Sequence, residues 1–287
     1  MIDVDTQLCG VIGNPVGHSM SPLIHNAGYG AQGLNFVYLA FEVADVGASL
    51  AGMRSMPNFR GLSVTIPYKL DVIPHLDDVE VMASNVGSVN TITNEGGRLV
   101  GSTTDGLGVT RALDGAGVDL DGKRVLFLGA GGAVRAVSFA VAERVGDGSI
   151  MILGRNASRV EPLVQDLTDK TSASVSMGHP VDDVADAVEG HDVIIQGTPI
   201  GMYPESVGES CVPADCLREE HVVFDMVYRP LKTKLIEDAE SAGCVTVLGT
   251  EMLVQQAAAQ YSLWTGRDAP VEVMREALVG GLAGEDG

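Results

Sequence analysis

The chain lacks an apolar stretch of the roughly 18–20 residues that a membrane span requires. The segment between Asp5 and Glu42 carries no Asp, Glu, Lys or Arg, but Asn14, Pro15, His18, Ser19, Ser21, Pro22, His25 and Asn26 interrupt it. No basic region precedes it, so it does not read as a signal peptide. Basic residues are scarce: 18 Lys and Arg against 38 Asp and Glu give a formal charge of −20. They are also scattered, and a surface of this sign repels nucleic acid and other polyanions. The four cysteines, Cys9, Cys211, Cys216 and Cys244, show neither a CxxC nor the Cys/His spacing of a zinc site. They read as thiols of a reducing compartment, with no metal expected. Repeats, low-complexity tracts and long linkers are missing too. These absences point to a cytoplasmic protein without a membrane or nucleic-acid partner; they leave the oligomeric state open, monomer or homodimer.

What is present is enough apolar material for a full core. The chain has 287 residues, 45% of them hydrophobic, sufficient for two domains or one large one. Short apolar runs alternate with helical stretches. LCGVIG (8–13), NFVYLAFEV (35–43) and GLSVTI (61–66) read as strands. PLIHNAGYGAQG (22–33) reads as a helix, with Ser21 as its candidate N-cap and Pro22 at its first position. SVNTITN and GRLVGSTT, joined at Glu95-Gly96-Gly97, read as a hairpin. A second strand–helix series follows, with strands at VLFLG, SIMIL, DVIIQ, VVFD and CVTVL, and two helices close the chain. Strands alternating with helices of this length predict an α/β fold with parallel sheets, and the intervening hairpin divides it into two domains.

LFLGAGGAVRA (126–136) is the strongest local signal. A strand ends at Gly129, and Gly129, Gly131 and Gly132 turn the chain into a helix. Such a turn lets backbone approach a pyrophosphate, which the helix N-terminus binds through its free N–H groups. The third glycine of the usual fingerprint is missing; Val134 stands in its place. Without a ligand the same turn is also a common structural device. Missing as well is the carboxylate that an NAD enzyme places after its second strand to hold the ribose 2′-OH. Gly154-Arg155-Asn156 stands there, with Arg159 one turn on. Arginine is unfavourable at a helix N-terminus unless an anion is present, and its fork fits a 2′-phosphate. The cofactor expected is therefore NADP.

Two further clusters carry chemistry. GLSVTIPYK ends in Lys69, and VNTITNEGGRLVGSTTDG leads to Asp105. Lys and Asp can form an acid–base pair, although spacing alone does not bring them together and a lone lysine is usually a surface residue. With these segments in view, the chain resembles the shikimate dehydrogenase family nearly end to end. The resemblance is carried by GNPVGHSMSPLIHN, SVTIPYK, GSVNTI, TTDGLG, GAGGAVR, GRNASR, QGTPIGM, FDMVYRP and MLVQQAAAQYSLWTG.

The resemblance implies reversible NADP-dependent reduction of 3-dehydroshikimate to shikimate, with that small molecule as the partner. It implies a substrate-binding domain from residues 1–104 and 249–287, and a Rossmann-like NADP domain from residues 105–248. Ser19 and Ser21 would bind the substrate carboxylate, and Tyr228 would support that end. Thr65, Asn90, Asp105 and Gln256 would hydrogen-bond the ring hydroxyls. Lys69 would give and take the proton beside Asp105. The cofactor set would comprise Gly129, Ala130, Gly131, Gly132, Ala133, Arg155, Asn156, Arg159, Thr198, Met226, Gly249 and Met252, with Gly249 and Met252 near the nicotinamide. His18, His25 and Trp264 read as structural.

The chain departs from the family pattern at Ser63 (an Asn in the family), at Thr103, at Gln196 in QGT, and at Thr250-Glu251. These leave open a preference for quinate or an amino analogue of shikimate. A ligand-sensing relative and a folate dehydrogenase of similar architecture are further alternatives. The paired serines and TTDG disfavour the latter, and retention of Lys69 with Asp105 disfavours the former.

Overall fold

Two six-stranded sheets organise the computed structural model, which describes residues 2–178 and 184–285. The first half of the chain runs β1 (Gln7–Gly13), α1 (Ser21–Ala31), β2 (Phe36–Glu42), α2 (Val46–Arg54), β3 (Phe59–Val64), β4 (Asp78–Val79), α3 (Val81–Val86), β5 (Thr91–Glu95) and β6 (Arg98–Ser102). It continues with α4 (Asp105–Gly115), β7 (Arg124–Leu128), α5 (Gly132–Ala142), β8 (Ser149–Leu153), α6 (Ala157–Lys170), β9 (Ser174–Gly178), α7 (Val184–Glu189), β10 (Val193–Gln196), β11 (Val222–Asp225), α8 (Lys234–Ser241) and β12 (Val245–Leu248). Helices α9 (Gly249–Thr265) and α10 (Val271–Glu285) end it. By internal contacts the chain forms two compact units, Met1–Asp105 with Val254–Gly287, and Gly106–Leu253.

The first unit holds the sheet β2-β1-β3-β5-β6-β4. β1 pairs in parallel with β2 and β3, whereas β3–β5 and β5–β6 are antiparallel. The β5–β6 turn is Gly96-Gly97, with φ of 66° and 99°, a two-residue hairpin turn that glycine makes without strain. This alternation of direction has a consequence for chemistry. The ends of β1, β3 and β6 and the start of β5 all lie along one edge of the sheet. Helix α9 covers the sheet at Trp264, whose indole N–H donates to the Ile92 carbonyl at 3.1 Å. A Cβ on Gly61 would lie 2.1 Å from that indole nitrogen, so only glycine lets the helix sit this close. His25, fully buried, stacks on Tyr38 at 4.3 Å between ring centroids and also meets Trp264. Burial pulls its pKa down to about 3, so the imidazole is neutral packing.

The second unit holds the parallel sheet β12-β11-β10-β7-β8-β9. Counted from β7, this is the order 6-5-4-1-2-3 of doubly wound dinucleotide-binding folds, whose direction of winding reverses between β7 and β10. The core strands β7, β10 and β11 are almost wholly buried apolar runs, as both faces of a parallel sheet are covered.

The structure departs from the sequence pattern at a few places. Ser21 is not the N-cap of α1: the cap is Met20, no side chain bonds the cap, and Ser21 is the first helical residue. Pro22 at the second position supplies the favoured start instead. Gly249 and Thr250 form the first turn of α9 directly after β12. Finally, β4, β9 and α7 escaped the pattern reading. β4 has two residues, and β9 is a polar edge strand, SVSMG, with no buried alternation.

Candidate active site

Lys69 and Asp105 meet. The Lys69 ammonium donates to Asp105 Oδ2 at 2.6 Å, with the two side chains 19% and 9% exposed. Lys69 follows β3 in a turn tied to the strand by Tyr68 N donating to the Thr65 carbonyl. Asp105 opens α4, where a carboxylate interacts favourably with the helix N-terminus. Asn90, just before β5, donates to Asp105 Oδ1 at 2.7 Å and to Thr104 Oγ1 at 3.1 Å. Gln256 on α9 brings its Oε1 to 3.5 Å from both Asn90 Nδ2 and Thr104 Oγ1. Lys69, Asn90, Asp105 and Gln256 therefore form one buried polar cluster. A buried ion pair survives only with such added hydrogen bonds, since its desolvation is costly.

The other expected substrate residues divide in two. Thr65 stands at the same sheet edge, its N–H donating to the Ile12 carbonyl at 3.0 Å. Ser19 and Ser21 follow β1 on that edge, with Ser21 N–H donating to Ser19 Oγ at 3.3 Å. Ser21 is buried and Ser19 half-buried, while His18 beside them is exposed. Tyr228 belongs to the second unit, half-buried after β11.

In the second unit the expected cofactor residues gather at the strand ends around the β7/β10 reversal. Gly129 has φ of 108°, a left-handed conformation that strains other residues, and its N–H donates to the Leu153 carbonyl at 2.6 Å. Gly131 caps α5 without a side-chain hydrogen bond, and Gly131 and Gly132 are exposed beside half-buried Ala130 and Ala133. The helix N–H groups are thus open to an anion. Val134 fills the place of the third glycine, and the space it needs comes from another strand. A Cβ on Gly197, after β10, would lie 2.2 Å from Val134 Cγ2 and 3.1 Å from the Met226 sulfur.

Thr198 is held by Gln196, whose Oε1 accepts from Thr198 N–H at 2.5 Å and whose Nε2 donates to the Thr198 and Ile200 carbonyls. The departure at Gln196 therefore has a local purpose. Gly249 lies against the chain after β11, where a Cβ would be 2.5 Å from the Val227 carbonyl oxygen, and Met252 is buried one turn on. Asn156 caps α6 by accepting from Ser158 N–H at 3.0 Å. Arg155 and Arg159 are exposed, and among the described residues neither has a carboxylate partner. In the same unit Arg124, Arg135, Arg144 and Arg218 are each held by one. Open helix N–H groups and two uncommitted guanidiniums fit a pyrophosphate and a 2′-phosphate.

Pattern reading missed Thr91, Thr104 and Gln260, all buried around Asn90. Gln260 had a legible signal: it lies four residues after Gln256 and so shares its helix face. Among the described residues no helix is long and apolar enough to cross a membrane, and no His/Cys/Asp/Glu group is arranged to hold a metal.

Comparison with known proteins adds to this geometry. Residues 11–92 match the shikimate dehydrogenase substrate-binding domain, and residues 249–279 match the shikimate 5′-dehydrogenase C-terminal domain. A shikimate dehydrogenase (NADP(+)) from Moorella thermoacetica is 44% identical, over 96% of this chain and 94% of its own. The crystal structure of shikimate 5-dehydrogenase from Listeria monocytogenes in complex with shikimate and NAD superposes with a TM-score of 0.91 at 38% identity. It covers 96% of this chain and 98% of its own. The Thermus thermophilus enzyme in complex with NADP(H) and shikimate gives 0.84 at 32% identity, over 95% and 98%. Two family matches flanking the nucleotide-binding sheet, and relatives this similar along the whole chain, establish that the chain belongs to the shikimate dehydrogenase family.

Proposed function

We propose that this protein is an NADP-dependent shikimate dehydrogenase that interconverts 3-dehydroshikimate and shikimate, acting in the cytoplasm as a monomer or homodimer. The observation that carries the reading is the Lys69–Asp105 pair, 2.6 Å apart and backed by Asn90. A ketone reduced to an alcohol needs one proton at the carbonyl oxygen, and the Lys69 ammonium is the donor. In the reverse direction Lys69 takes the proton back. Asp105 holds the ammonium and accepts from a ring hydroxyl, and Asn90, Thr65 and Gln256 present amide and hydroxyl groups to the other ring oxygens. Ser19 and Ser21 take the carboxylate, with Tyr228 supporting that end. Ser21 is not occupied in capping α1.

NADP, when bound, supplies or accepts the hydride. Gly129 to Ala133 would hold its pyrophosphate, and Arg155, Asn156 and Arg159 its 2′-phosphate. Thr198, Met226, Gly249 and Met252 would border the rest of the dinucleotide. Two guanidiniums without carboxylate partners among the described residues support NADP over NAD, since each charge-assisted hydrogen bond contributes about 1.5–3 kcal/mol.

The test is steady-state oxidation of shikimate and of quinate, each with NADP and with NAD. Turnover that is fast only with shikimate and NADP is expected. Preference for quinate would shift the assignment to the ring-hydroxyl contacts, with Ser63 and Thr103 as the departures responsible. Preference for NAD would overturn the role given to Arg155 and Arg159.

A further inference from the structure

The polar cluster around Lys69 does not stop at Asn90. Asn90 Oδ1 accepts from Thr91 Oγ1 at 2.7 Å, and Thr91 Oγ1 accepts from Gln260 Nε2 at 2.8 Å. Gln260 Oε1 accepts from Ser63 Oγ at 2.7 Å, and Ser63 Oγ accepts from the Tyr38 phenol at 2.6 Å. Every residue along this line, from Tyr38 to Asp105, is buried. Ser63 and Thr91 face each other directly in the β3–β5 pairing, and Gln260 reaches down from α9 to bond both.

The direction of every bond follows from one end. The Asp105 carboxylate only accepts, so Asn90 must turn its nitrogen towards it. Its oxygen then faces two donors, the Thr104 N–H and the Thr91 hydroxyl. A threonine hydroxyl has one proton, so Thr91 must accept from the next group, and Gln260 presents its nitrogen. Gln260 is left presenting its oxygen to Ser63, whose proton is thereby committed. Ser63 can accept only from a group that keeps its proton. Burial pushes the Tyr38 phenol well above its ordinary pKa, and His25 stacked on the ring keeps it dry. Flipping Asn90 would set its oxygen against the Asp105 carboxylate and its nitrogen against the Thr104 N–H, and flipping Gln260 would set its oxygen against the Thr91 oxygen, whose proton goes to Asn90.

We propose that Thr91 and Gln260 are positioning residues for proton transfer, acting through this one-way chain to hold Asn90, and through it Asp105 and Lys69, in a single orientation. The inference rests on the assignment of Lys69 and Asp105 as the proton-transfer pair. Thr104 N–H also donates to Asn90 Oδ1, at 2.8 Å, so loss of Thr91 loosens the carboxamide without freeing it. The expected effect is accordingly moderate.

The test compares Thr91→Val, which keeps the shape and removes the hydroxyl, with Thr91→Ser, which keeps the hydroxyl. Shikimate oxidation with NADP is measured in H2O and D2O. Thr91→Val is expected to lower kcat about fivefold or more, with KM for shikimate changed less than about twofold. Its solvent isotope effect on kcat should rise, because a misplaced pair slows the proton step selectively. Thr91→Ser should restore both. Should the valine variant fail to fold, Gln260→Met carries the same test from the helix side. A folded valine or methionine variant with unaltered kcat and isotope effect overturns the proposal, as does equal loss in the serine variant. Wild-type protein that does not oxidise shikimate would instead overturn the underlying assignment of the pair, and the positioning role with it.

Discussion

Polar groups at the sheet edge of the first unit bond one another, whereas those at the strand ends of the second are left open. Lys69, Asp105, Asn90, Thr91 and Gln260 are joined by side-chain hydrogen bonds to one another. Gly131, Gly132, Arg155 and Arg159 stand exposed with no side chain answering them among the described residues. The difference matches what each place is proposed to handle. Moving a proton requires an ammonium fixed against a neutral carbonyl, so the protein must supply the counter-charge itself. Binding a phosphate requires the counter-charge to arrive with the ligand, so a carboxylate beside Arg155 would compete with it.

Breaking the self-satisfied side should have the largest effect. Lys69→Ala removes both the proposed proton donor and the cation that Asp105 faces. A fall in kcat of roughly 10² to 10⁴ is expected for a lost general acid, read from steady-state shikimate oxidation. A near-normal kcat would remove Lys69 from the chemistry.

A second buried carboxylate sharpens the same contrast. Asp225, at the end of β11, is fully buried yet has no cation beside it among the described residues. It accepts from Val227 N–H at 2.9 Å and the Thr233 hydroxyl at 2.6 Å. Burial pushes its pKa up from 3.8 to about 6. The folded protein therefore binds a proton more tightly here than the unfolded chain does. Its stabilising contribution is complete below pH 4, is lost as pH rises through about 6, and is flat above. A shift of that size corresponds to about 3 kcal/mol. Asp225→Asn has no such slope. Melting curves of both proteins from pH 4 to 8 should show the wild type losing Tm relative to the variant over this window. Parallel curves would mean that the two neutral donors suffice to hold the charge.

The alternation of strands and helices was legible because parallel strands buried on both faces read as unbroken apolar runs. The edge strand β9 was not, since it buries almost nothing. Within the site, legibility depended on whether a residue's reason lay nearby in the chain. The glycine turn after β7 and the missing carboxylate after β8 could be read locally. The pairing of Lys69 with Asp105, 36 residues on, could not, and entered only through family resemblance. Val134 looked like a defect in the fingerprint because its compensating glycine, Gly197, lies far along the chain, just after β10. The spacing from Gln256 put Gln260 on the site-facing side of the helix, but the groups it joins, Ser63 and Thr91, come from two other elements and could not be read from it.

The smallest expected effect tests the open side. Arg155 is exposed, so its attraction for a 2′-phosphate acts through water and is weakened by salt. Arg155→Gln should raise KM for NADP about tenfold, equivalent to losing a single charge-assisted hydrogen bond. KM for NAD, which lacks that phosphate, should change less than about twofold. The wild-type preference for NADP should also shrink as ionic strength rises from roughly 0.05 to 0.5 M, whereas kcat, assigned by the proposal to the part-buried Lys69–Asp105 pair, should hold nearly constant. Equal losses for NADP and NAD in the variant would mean that Arg155 holds part of the dinucleotide common to both. A preference unmoved by salt would mean that a buried group, rather than the exposed guanidiniums, reads the phosphate.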